Sequence, residues 1–176
     1  MRSSPRHARQ QTAGSASEAW LAMTVVTAEY VAALRASLTG DEQTFSRLST
    51  ELQARDGGEH SGNVYSALTG MTLFIAARRR FPDGYTSADV VRFVGQVRAR
   101  LADSANEIDP RVTERTLLGA LGDAADAESL DKAATAIAIS ALLFVLLEEQ
   151  GISGDLLDAL LFEARPLADI WISRQH

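Results

Sequence analysis

Residues 133–147 read AATAIAISALLFVLL, fifteen positions without a charge. Wound as a helix, the segment is apolar around almost its whole circumference, so either lipid or other helices must enclose it. Length decides between the two. Fifteen residues at about 1.5 Å each cover about 22 Å, short of the roughly 30 Å hydrocarbon core of a bilayer. Lys132 precedes the run and Glu148-Glu149 close it. The spacing therefore predicts a buried helix over about residues 126–150, ended by Gly151, and no membrane insertion.

The flanking sequence supplies the helices to surround it. Apolar residues return every three or four positions from Glu18 onward, and no convincing strand pattern occurs. A first helix is expected over about residues 17–38, carrying Leu21, Val25, Val31, Leu34 and Leu38 and ending at Gly40. Asp41 caps a second with the stripe Phe45, Leu48 and Leu52, broken at Asp56-Gly57-Gly58. A third, over about residues 61–80, buries Val64, Leu68, Met71 and Ile75 and stops before Pro82. Thr86 or Ser87 caps a fourth through Val90, Val94, Val97 and Leu101. Asp109-Pro110 starts a fifth that closes at Gly122. A last helix opens at Ser153 or Asp155 and should kink or restart at Pro166. The fold class is all-α: a single-domain bundle of six or seven helices, residues 17–176, around the apolar helix, with residues 1–16 a disordered basic tail.

Charge is divided the same way. Of 17 basic residues only Lys132 is a lysine, an arginine and alanine bias expected of a high-GC bacterial genome. Arg2, Arg6 and Arg9 make the tail +3, leaving the remainder at −9 because the whole chain is −6. An acidic body repels phosphates, so nucleic acid is not an expected partner. Residues 90–101 could hold a helix-turn-helix bent at Gly95, but they read better as one amphipathic helix. No apolar run of signal-peptide length follows the tail arginines, and the expected location is cytoplasmic.

The composition removes several chemistries. Cysteine is absent, which excludes disulfides, thiolate nucleophiles and Cys-ligated metals. His7, His60 and His176 lie far apart in sequence, with no Glu-x-x-His or i, i+4 pair. Phosphate-binding glycine loops and the Gly-x-Ser-x-Gly elbow are missing as well. No cofactor is expected.

Three groups of residues remain as candidates. Glu148, Glu149, Asp155 and Asp158 could hold magnesium for a nucleotide hydrolase if they faced one another. The all-helical pyrophosphohydrolases place such carboxylates in continuous helices, whereas Gly151 interrupts the run here. Arg78-Arg79-Arg80 close the third helix, where cations favour the helix dipole, and could bind an anion or an acidic partner near Phe81. The segment Arg55-Asp56-Gly57-Gly58-Glu59-His60 has the Arg-x4-His form and resembles the motif of the HEPN ribonucleases, a family of small all-helical proteins. That resemblance implies Arg55 holding a phosphate and His60 moving a proton. Arg2 and His7 have the same spacing.

With no complete catalytic set, the leading expectation is a non-catalytic helical interaction or regulatory protein, homodimeric through an exposed apolar helix face. A phosphate-substrate enzyme and a ligand-sensing helical domain are the alternatives.

Overall fold

The computed structural model describes residues 26–123 and 130–175. The expected tail at 1–16, the helix start at residue 17 and the helix start at Asp126 lie outside these residues. Among the described residues there are seven α-helices and no strand. They are α1 (Ala28–Leu38), α2 (Glu42–Asp56), α3 (Gly58–Arg80), α4 (Ser87–Arg100), α5 (Pro110–Ala120), α6 (Lys132–Glu149) and α7 (Asp155–Ser173), with a short 3-10 turn at Ala102–Ser104. No helix among the described residues is long and apolar enough to cross a membrane.

Local chemistry explains the boundaries. The Asp41 carboxylate accepts the Thr44 N–H at 3.0 Å and starts α2. Gly57 alone, at φ +82°, turns the chain from α2 into α3, so α3 begins at Gly58 rather than near residue 61. Asp109 accepts the N–H groups of Arg111 and Val112 ahead of α5, with Pro110 in its first turn. Thr86 and Asp89 form a reciprocal capping box at α4, each side chain accepting the other's backbone N–H. Thr86→Ala should therefore lower stability by about 1 kcal/mol, within a range of about 0.5–2. Urea unfolding of the two proteins at one pH checks this, and an unchanged midpoint would show the cap to be dispensable.

Three sequence expectations are corrected. The first helix does not run unbroken from residue 17, because Val26 and Thr27 are non-helical and Thr27 is extended ahead of Ala28. The apolar helix starts at Lys132 rather than near Asp126, since Asp131 serves as its cap by accepting the Ala134 N–H at 2.8 Å. Pro166 neither ends nor restarts α7. It stands on the exposed side, so the Phe162 carbonyl that it deprives of a partner belongs to the solvent face.

Two clusters make up the interior. The first joins α1, α2, α3 and α7 through residues such as Tyr30, Leu34, Leu68, Leu160 and Leu161. The second joins α3, α4, α5 and α6 through Leu73, Phe93, Leu117, Leu142 and Leu146. The long α3 passes through both and packs against α1, α2, α5, α6 and α7. The apolar helix α6 packs on α3, α4 and α5. Leu142, Val145 and Leu146 are sealed in, yet Ile137 is 40% exposed and Phe144 54% exposed. Its neighbours thus cover one side of it.

Candidate functional site

That uncovered side of α6 forms one wall of an open groove of about 560 Å³. Leu34 and Leu38 from the last turns of α1, Tyr65 and Thr69 from α3, and Leu101 and Ile108 flanking the connection after α4 supply most of the rest, with Ser37, Ser104 and Glu107 as its further polar lining. Ile137 and Phe144 stand at its edge. Ala133, Ile137, Ser140 and Phe144 recur at four, three and four residues, which aligns them on one face of the helix.

Two of the groove's hydroxyls, those of Thr69 and Ser140, are bonded within their own helices. Thr69 Oγ1 donates to the Tyr65 carbonyl at 2.8 Å, and Ser140 Oγ donates to the Ala136 carbonyl at 3.0 Å. Such bonds to the preceding turn satisfy the hydroxyl within its own helix and leave methyl and methylene groups facing outward. The Tyr65 ring lies against Phe45 at 5.9 Å between centroids. Burial pushes the Tyr65 hydroxyl above its ordinary pKa, so it stays a neutral, weakly polar tip. The surface offers a mainly apolar shape and area, with the Glu107 carboxylate as the charged group in its lining.

The carboxylates named from sequence are not brought together. Glu149 receives Arg80 at 3.1 Å and Arg100 at 3.4 Å, while Glu148 receives Arg100 at 3.0 Å. Asp158 is held instead by Arg35 of α1 at 2.6 Å. No group of three or more potential metal-ligating side chains occurs among the described residues. The apparent oddity of two acids ending α6 is thereby explained: they draw the C-terminal ends of α3 and α4 onto it. Arg78, Arg79 and Arg80 also diverge rather than forming one anion site. Arg78 approaches Asp83 at 3.7 Å, Arg79 pairs with Glu163 at 2.7 Å, and Arg80 pairs with Glu149. Arg80 further lies over Phe81 at 5.1 Å and Phe93 at 5.6 Å. It lines a hollow of about 320 Å³ next to Phe81, together with Arg92 and Tyr85.

Arg55 and His60 flank the α2–α3 turn, but the guanidinium is already occupied. Arg55 makes two hydrogen bonds to Asp56, at 2.7 and 2.9 Å, and Glu29 stands at 3.8 Å. The buried Tyr30 donates its hydroxyl to Asp56 at 2.8 Å. An incoming phosphate would have to displace two carboxylates. Arg55 holds the Asp56 carboxyl below its ordinary value, with Tyr30 adding to the effect against the opposing influence of burial. A depressed native pKa contributes stability that is complete above the unfolded value near 3.8 and is lost as pH falls through the native one. Asp56→Asn should therefore be less stable than the parent at pH 7, with the gap closing as pH falls below about 4. Denaturant midpoints at several pH values provide the check, and a gap constant down to pH 2 would contradict it.

No family model, curated protein or solved structure matches this chain. Function must accordingly be argued from the groove and the surface alone. Sequence reading missed the groove. The Ala133, Ile137, Ser140, Phe144 stripe was its signal, hidden because every other face of that segment is apolar too.

Proposed function

We propose that this chain is a non-catalytic helical interaction protein that pairs with a second copy through the groove face of α6. The carrying observation is Phe144 and Ile137, more than a third exposed on a helix whose central fifteen residues bear no charge. Large apolar side chains aligned beside a preformed apolar groove are the makings of an isologous contact, in which each copy's ridge fills the other's groove. A cytoplasmic setting accords with the absence of cysteine. The acidic body disfavours nucleic acid.

Light scattering on the eluting full-length protein tests the pairing. The parent is expected at twice the 18.9 kDa chain mass, and Phe144→Asp at the chain mass, because an aspartate there would be stripped of water at the contact. A parent that stays at the chain mass across micromolar concentrations would refute self-association. The groove's volume supports a second reading, since small-molecule sites run from about 300 to 1,000 Å³. In that reading the occupant is an apolar molecule, and native mass spectrometry of the purified protein would show an added mass that Phe144→Asp loses.

A further inference from the structure

The hollow beside the end of α3 has a polar lining, unlike the α6 groove, and the two share no residue. Three stretches of chain wall it: Arg80 at the end of α3, the connection through Tyr85, and one face of α4. On that face Asp89, Arg92 and Gln96 follow one another at three and four residues, the spacing of helix neighbours.

The walls are held in place by the protein itself. Phe81, 3% exposed, anchors the connection where it leaves α3, and the Tyr85 ring meets it edge-on at 6.0 Å between centroids. Gly84 turns the chain at φ +95°, which glycine adopts without strain, and the Thr86–Asp89 capping box fixes the far end. Arg80 lies over the rings of Phe81 and Phe93, a placement that restricts an otherwise rotamer-rich side chain.

Donors in the hollow exceed the acceptors left to meet them. Arg80 donates from Nε to Glu149, its one hydrogen bond among the described residues, so both terminal nitrogens are open. Arg92 uses Nη1 on Asp89 at 2.9 Å and keeps Nε and Nη2. The acids are already committed. Asp89 Oδ2 accepts the N–H and the hydroxyl of Thr86, and its Oδ1 accepts Arg92. The Asp83 side chain is 98% exposed and stands 3.7 Å from Arg78. Tyr85 and Gln96 add a hydroxyl and an amide to the same lining.

We propose that this hollow binds the phosphate group of a small phosphomonoester, held by the open guanidinium edges of Arg80 and Arg92. Donors from three stretches of chain match a tetrahedral group, whose three oxygens point in different directions, better than a carboxylate with two oxygens in one plane. A space of about 320 Å³ is at the small end of the range for ligand sites, so the rest of the ligand is compact and lies against the Tyr85 ring. Because no residue is shared with the α6 groove, this inference and the pairing proposal stand or fall separately.

Heteronuclear NMR of the full-length chain at constant ionic strength tests the site, with phenyl phosphate as the probe. Millimolar phenyl phosphate should shift the amides of Tyr85, Arg92 and Gln96 along saturating curves and leave those of Ile137 and Phe144 in place. Arg92→Gln should weaken this binding about tenfold or more, the effect of losing one charge-assisted hydrogen bond. Arg80→Lys, which keeps the charge and removes the fork, should weaken it as well. Arg47→Gln, the same charge change at an exposed arginine of α2 paired with Glu51, should leave it unchanged. Circular dichroism confirms that each variant is folded. Shifts that never saturate, or equal affinity in the Arg92→Gln and Arg47→Gln proteins, would overturn the proposal. Benzoate bound as tightly as phenyl phosphate would overturn the assignment to phosphate.

Discussion

Replacing Phe93 with alanine is expected to lower folding stability by about 3–5 kcal/mol, the range for emptying a large aromatic site in a packed core. Phe93 is 1% exposed, and its ring meets Phe81 edge-on, at 5.4 Å and 83°. Arg80 covers both rings while its charge is paired with Glu149 of α6. Removing the ring would therefore leave a cavity and also loosen the arginine that ties the end of α3 to α6. Urea unfolding should show a lower midpoint with an unchanged slope, the sign of a native-state loss. Val91→Ala, on the exposed side of the same helix, should stay within about 0.5 kcal/mol of the parent. A Phe93→Ala loss below about 1 kcal/mol, the typical change for an arbitrary substitution, would mean that this aromatic cluster does not support the second core.

Leu68→Ala is expected to remove about 2–5 kcal/mol. Leu68 is fully buried in the first cluster, and Leu117, equally buried, belongs to the second. Because α3 is common to both clusters, neither can lose its packing while the other keeps a complete wall. Leu68→Ala and Leu117→Ala should accordingly each lower one cooperative transition, and fluorescence and circular dichroism should trace the same curve. Fluorescence reports through Trp20 and Trp171, whereas circular dichroism reports all helices. Two separated transitions in either variant would contradict a single cooperative bundle.

The helices were legible in the sequence because caps and periodicity are local. Asp41, Thr86 and Asp109 announce their helices by side-chain chemistry that acts within three residues. Where the reading drifted, a tertiary or solvent effect intervened. A proline predicts a kink or a restart at residue 166, and the restart does not occur because Pro166 stands on the exposed side within one helical span. The start of α6 is ambiguous in sequence because the capping role of Asp131 competes with a polar stretch that could also belong to a helix. Partnerships were the least legible. Glu148, Glu149 and Asp158 had the composition of a metal cluster, and only the packing of α1, α3 and α4 reveals that arginines from those helices engage them. The α6 groove was hidden for a related reason: uniform apolarity states that a segment will be covered without stating on which side.

The absence of cysteine gives a clean handle on that uncovered side. A spin label on Ala133→Cys would stand on the exposed first turn of α6, at the end of the stripe that continues through Ile137 and Phe144. Dipolar spectroscopy of the labelled full-length protein should give one narrow inter-copy distance, which disappears when Phe144→Asp is added. A signal indistinguishable from randomly dispersed labels, at concentrations well above the micromolar range, would show that the groove face of α6 does not join two copies.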